Sequence, residues 1–234
     1  MSHFAVGVLH REDQNIEDLL TPYSENIAVD PYIRYTREQA IAKVREDGHD
    51  DWTDDQCFEY FAEDYDEQNV DEQGNIWSMY NPKSKWDWWC IGGRFDGFKV
   101  KGSDYAHDEA KVCEIDFSPD ESDCEYYRRF WEVNIEGKPL SPDEDKDNYF
   151  AVYNNDYYTR FYSDKEDFVK RKTQFLLRAI ITPDGEWHER GEMGWFGVSS
   201  ENPEEARDWD EHFKERYIDT AEPDWILTLV DCHI

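Results

Sequence analysis

Positive charge is scarce in this chain: 25 lysines and arginines stand against 56 aspartates and glutamates in 234 residues, a formal charge of −31. Phosphate backbones are held by lysine and arginine, so direct nucleic-acid binding is disfavoured, as is adsorption to an anionic membrane. A field of this sign attracts basic surfaces, or it simply keeps a solvated exterior soluble. Long apolar runs are missing as well. Nothing approaches the roughly 18 consecutive apolar residues that a membrane span requires. The five cysteines (Cys57, Cys90, Cys113, Cys124, Cys232) are odd in number, scattered, and form no C-x-x-C pair. That excludes a disulfide framework and a zinc ribbon and fits reduced, mostly buried thiols. Met1-Ser2-His3-Phe4 is not a basic segment leading into an apolar run, so no signal peptide is expected and the cytoplasm is the expected location.

Sequence motifs for familiar chemistry are also lacking. Gly92-Gly93 does not extend to G-x-G-x-x-G, no G-K-[ST] occurs, and no serine sits in a G-x-S-x-G elbow. No cofactor, metal or catalytic residue is therefore assigned. What is abundant is aromatic: 16% of residues, within a hydrophobic content of 38%, so core volume must come from few, large side chains. Lys85 to Phe95 concentrates this, with Trp86, Trp88 and Trp89 followed by Gly92, Gly93 and Arg94. A buried tryptophan covers about 150–250 Å² and wants a partner for its indole N–H, and paired glycines allow close backbone approach. The segment reads as a structural hub where elements converge, or as an aromatic-walled ligand pocket. Arg94 is expected to pair with a carboxylate.

The second concentration is acidic. Between Glu46 and Glu72 lie thirteen acidic residues and no lysine or arginine. Asp50, Asp51, Asp54, Asp55, Glu59, Glu63 and Asp64 are expected on one face around a helix that starts at Thr53. Acidic groups one turn apart are roughly 6 Å from each other, comparable with phosphate spacing along a nucleic-acid strand. This face is either a solvated surface or a nucleic-acid mimic that occupies a DNA-binding groove.

Periodicity and turn residues give the outline. His3–His10 reads as a central strand, and Thr36 with Gln39, then Thr53 with Gln56, match capping boxes that open two helices. Further strands are expected over 76–80, 95–100 and 174–182, a helix from Ser118-Pro119, a β-hairpin over 150–162, a helix capped by Ser163, a helix from Asn202-Pro203, and a last strand over 225–234. The fold class is α+β: a mixed or antiparallel sheet with helices packed on it, ferredoxin-like in outline. The expected core is 1–100 with 173–234, carrying the acidic helical segment 36–72, and 101–172 is an inserted peripheral α/β module. His188, between carboxylates, and Asp231 and His233, which alternate onto one face of the last strand, would converge on a site if the sheet brings them together. Trp195 is placed with His188 in the same glycine-rich segment.

Three segments, N-P-K-S-K-W-D-W-W-x-I-G-G-R-F (Asn81–Phe95), D-G-E-W-H-E-R-G-E-M-G-W-F-G (Asp184–Gly197) and V-D-C-H-I (Val230–Ile234), resemble a family of largely uncharacterised phage and prophage proteins. P-Y-S-E-N-I-x-V-x-P-Y (Pro22–Tyr32) fits the same pattern. The matching segments cover under half of the chain, and 46–72 and 101–172 have no counterpart. The resemblance implies a phage product acting in a bacterial cytoplasm, with no catalytic residues to carry over. Its implied role is a non-enzymatic counter-defence protein that blocks a basic, nucleic-acid-binding host protein, such as a CRISPR or Gabija-type defence complex. Two other classes stay open: a small-ligand protein or hydrolase using a Trp-lined pocket with His188, and a virion or assembly protein. A homo-oligomer is compatible with each.

Overall fold

The computed structural model describes residues 2–66, 69–191 and 202–234. In chain order the elements are β1 (His3–His10), α1 (Ile16–Leu20), β2 (Tyr32–Tyr35), α2 (Arg37–Glu46), α3 (Asp54–Ala62), β3 (Ile76–Ser78) and β4 (Trp88–Ile91). There follow β5 (Phe98–Lys99), β6 (Ala106–His107), β7 (Glu109–Lys111), α4 (Glu121–Asn134), α5 (Asn155–Phe161) and α6 (Lys165–Thr173). β8 (Ala179–Ile181), β9 (Trp187–Glu189), α7 (Pro203–Phe213) and β10 (Ile226–His233) complete the chain. The described residues divide into two compact units, Thr21–Lys85 and the remainder.

In the larger unit the strands run β4-β10-β1-β8-β9, with β7 also paired to β10. β1 is antiparallel to β10 along its whole length and parallel to β8, so the sheet is mixed and the fold is α+β. With β4 and β7 set aside, which come between β1 and β8 in the chain and pair with β10, the strands β1, β8, β9 and β10 have helices between β1 and β8 and α7 between β9 and β10, the βαββαβ succession of a ferredoxin-like fold. The hairpin is reversed, however: its first strand, β8, lies against β1. Val6 and Val8 point to one face of β1 and Leu9 to the other, and all three are buried, as a central strand covered on both faces requires. On the Leu9 face, Ile180, Leu227 and Leu229 pack under Trp209 and Phe213 of α7. The Trp209 indole donates to the Leu177 carbonyl at 3.0 Å, which satisfies its buried N–H.

Part of the 101–172 segment belongs to this sheet, because β7 pairs with β10 and Val112 and Ile115 join the main core. The separate cluster begins at α4, where Phe130 and Trp131 meet Tyr158, Tyr162, Phe168 and Val169. The expected β-hairpin over 150–162 is α5 instead. Tyr157, Tyr158, Phe161 and Tyr162 recur with helical spacing, and the Asn154 side chain accepts from the Tyr157 N–H as a helix cap. Of 174–182 only Ala179–Ile181 pairs as a strand, and of 95–100 only Phe98–Lys99. The caps of α4 and α6 are Asp120 and Asp164, a residue or two past the expected positions. Asn202 caps α7 as expected, accepting from both Glu204 and Glu205 N–H with Pro203 in the first turn.

Charge pairs tie this helical cluster together. Arg129 holds Glu144 in a two-point contact at 2.7 and 2.6 Å, while Lys138 and Lys165 both reach Glu132. These hydrogen bonds lower both carboxyls from the ordinary 4.5 to about 2. Depressed carboxyls stabilise the folded state above their ordinary value and lose that contribution as protons bind the folded form. Acid unfolding of α4–α6 is therefore expected to draw on these groups as the pH falls from about 4.5 towards 2. A Glu132→Gln/Glu144→Gln variant, followed by circular dichroism, should start less stable and change less across that window.

The smaller unit holds α2 and α3 against the β2–β3 ribbon. Both capping boxes form as expected, with Thr36 and Thr53 accepting from the Gln39 and Gln56 N–H and each glutamine reaching back. Ile41, Val44 and Cys57 make the core between the helices, with Trp52, Phe58 and Phe61 around it.

Candidate functional site

The acidic face lies on the smaller unit, and Asp50, Asp51, Asp54, Asp55, Glu59, Glu63 and Asp64 are all exposed. They are not equivalent. Asp54 and Asp55 form ion pairs with Arg45 and Arg37 of α2, so at the N-terminus of α3 they serve both the macrodipole and the helix pair. Glu59 and Glu63 stand one turn apart at the other end, where the last turn of α3 has no basic residue. Asp64 and Asp66 follow directly. Carboxylates at a helix C-terminus oppose the dipole, and like charges four residues apart repel, each at a cost of a few tenths of a kcal/mol to about 1 kcal/mol. Local stability does not account for this end of the helix.

An aromatic centre accompanies these charges. Tyr60, between Glu59 and Glu63, is 51% exposed and meets Trp52 edge-on, and His49 stacks on Trp52 at 4.0 Å. The same unit exposes Ile33 and Trp77, paired across β2 and β3, with Met79 and Tyr80 beyond them. The Trp77 indole donates to Asp71 at 3.0 Å, and this bond, with those from Asn75 and Gln73, lowers the Asp71 carboxyl to about 2. The unit thus combines exposed apolar anchors with exposed carboxylates.

The tryptophan segment is not one hub. Trp86 is buried, with no hydrogen-bond partner for its indole N–H among the described residues, whereas Trp88 is 44% exposed on edge strand β4 and Trp89 is half-buried. Alternation along a strand separates neighbours onto opposite faces, so three tryptophans in four residues do not share one pocket. Gly92 and Gly93 both adopt positive φ, +68° and +63°, turning the chain against β10. The Arg94 backbone N–H donates to Asp231 Oδ2 at 3.0 Å; its guanidinium, expected to pair with a carboxylate, makes no described ion pair.

This turn closes over a group that sequence reasoning recognised only in part. His3 sits opposite His233 in the β1–β10 register, and Asp231 alternates onto the same face. His3 Nδ1 lies 2.8 Å from Asp231 Oδ1, and His233 Nδ1 lies 2.6 Å from Asp87 Oδ1. Trp88 stacks on His233 at 5.1 Å and meets His3 edge-on. His3 and Asp87 had been missed, although the pairing of two long apolar terminal strands would have placed His3. Two histidines oriented by carboxylates resemble acid–base machinery, but no described hydrogen bond brings a serine, threonine or cysteine side chain to either ring. Among the described residues no group of three or more metal-ligating side chains is found. The pairs act as a lock on the ends of β1 and β10. A Cβ on Gly93 would lie 2.4 Å from Asp231 Cβ. Gly93→Ala is thus expected to cost about 2–3 kcal/mol, from the left-handed backbone and the collision together, read by urea unfolding.

His188 does not join this group. It lies on β9, at the opposite edge of the sheet from β4, where its ring packs on Tyr217. The sheet therefore does not bring His188 to Asp231 and His233, nor to Trp88 and Trp89 of β4. Trp195 lies outside the described residues. No family model matches the chain. No curated protein and no solved structure shows significant similarity to it. Among the described residues, no helix is long and apolar enough to cross a membrane.

Proposed function

We propose that the protein is a non-enzymatic binder whose smaller unit presents an acidic, aromatic-centred face to a basic, nucleic-acid-binding surface of another protein. The observation that supports this most directly is the C-terminal half of α3. There Glu59, Glu63 and Asp64 are exposed, uncompensated by any basic residue in the last turn, and gathered around Tyr60. Residues that break local rules without a structural gain are where function is expected. The carboxylates would steer encounter and reject wrong partners, while Tyr60, Trp52 and the Trp77 strip would supply the buried anchors.

The resemblance of Asn81–Phe95, Asp184–Gly197 and Val230–Ile234 to phage proteins adds a setting. In it the partner is a host nuclease or other DNA-directed component, with defence complexes of the CRISPR or Gabija type as first choices, and the site of action is the bacterial cytoplasm. Immobilised protein should retain such a partner from bacterial lysate at low ionic strength. Retention should fall steeply over the range where the Debye length shrinks from about 30 to 8 Å. Retention that is indifferent to salt would remove the electrostatic basis of this reading.

A further inference from the structure

The larger unit contains a cavity that the proposed function does not use. It has a volume of about 350 Å³ and opens between the end of β5, the chain following the bridge at Ile115, and the segment after α6. One part of its wall is apolar: Phe95, Phe98, Phe117 and Phe175, with Ala5 and Leu229 from the main sheet. Phe117 and Phe175 meet edge-on at 4.9 Å, and Phe98 and Phe175 are tilted at 6.0 Å. Asp96, Asp116 and Asp120 also line it, against a single cation, Lys99, which pairs with Asp116 at 3.3 Å. Gly97, in the same wall, lets the His107 backbone approach to where a Cβ would lie 2.6 Å from it.

We propose that this cavity binds a small organic ammonium, with its ring or alkyl body among the phenylalanines and its charge at the Asp96–Asp116–Asp120 mouth. A pocket with an apolar part and a few convergent polar groups is the usual form of a small-molecule site, and here three aspartates outnumber the one lysine of the lining. Aromatic faces attract cations, and one ring of this wall already does so: Lys214 Nζ stands 5.7 Å over the Phe117 ring. Asp116 and Asp120 are held below the ordinary carboxylate range by hydrogen bonds from Ser118 and Ser122, so both stay charged through mild acid. A carboxylate ligand would face a mouth that stays net negative after Lys99 pairs with Asp116, and a neutral one would leave that charge unmatched. The ammonium satisfies both parts.

The test titrates the protein with phenethylamine, 2-phenylethanol and 3-phenylpropionate, followed by calorimetry and by NMR shifts of the cavity phenylalanines. Phenethylamine should bind at least about tenfold more tightly than the alcohol, which corresponds to ~1.4 kcal/mol, and the carboxylate should not bind. Asp96→Asn/Asp116→Asn should bring the amine down to the level of the alcohol. The alcohol's own binding should be unchanged, which shows that the variant is folded and the cavity intact. Equal affinity for amine and alcohol, tight binding of the carboxylate, or no saturation by ~10 mM amine would overturn the assignment.

Discussion

Reversing the charge of Asp50, Asp51, Glu59 and Glu63 to lysine is expected to weaken partner binding by at least about a hundredfold while leaving the smaller unit as stable as before, or more so. The first half follows from placing like charges against a basic surface, which costs several kcal/mol, where ~1.4 kcal/mol is tenfold in affinity. The second half follows from the helix. Glu59 and Glu63 oppose the α3 dipole, so lysines there improve that interaction by a few tenths of a kcal/mol each, while the repulsion between the two positions is unchanged in sign. Asp54 and Asp55 are kept out of the variant because they pair with Arg45 and Arg37. A purely solvated face would show the stability change without the binding loss. The two readouts, thermal melting and affinity by calorimetry, therefore separate the functional reading from the structural one.

Removing the Asp210 carboxylate is expected to be the most destabilising single change, at about 3–5 kcal/mol for Asp210→Ala. Asp210 is buried on α7, where it accepts from Arg171 Nη2 at 3.1 Å and from Arg190 Nε at 2.8 Å. The Arg171 side chain is 5% exposed, and its second Nη donates to the Phe161 carbonyl. Without Asp210 a buried guanidinium loses its counter-charge, and a buried unpaired charge costs far more than the pair contributes. The same carboxylate joins α6, α7 and the residue after β9, so its loss should uncouple the helical cluster from the sheet. Urea unfolding would show this as a lower midpoint and, if the cluster separates, as a second transition. Asp210→Asn, which keeps the shape and one acceptor, should fall between the two.

What could be read in advance was local. The capping boxes at Thr36 and Thr53 and the Asn202 cap declare themselves within four residues, because a side chain there satisfies a backbone N–H of its own turn. β1 and β10 were legible from their apolar runs, and Asp231 with His233 from simple alternation. Long-range register was not. Nothing in the segment Lys85–Phe95 says that Trp88 lies on an edge strand opposite His233, or that Gly93 is glycine because Asp231 leaves it no room. α5 was read as strands since Tyr and Phe favour strands by composition; only their spacing, and Asn154 before them, shows the helix. The acidic face was visible as a run of charge. That Asp54 and Asp55 are neutralised and Glu59 and Glu63 are not depends on where α2 lies, which composition does not show.

If the acidic face occupies a surface built for nucleic acid, DNA and this protein must compete for the same partner. With a partner captured from lysate on the immobilised protein, added double-stranded DNA should displace it in proportion to concentration. The protein should likewise release that partner from DNA, and the four-lysine variant should do neither. A partner that remains bound at saturating DNA, or that binds DNA and this protein at once, would contradict the account.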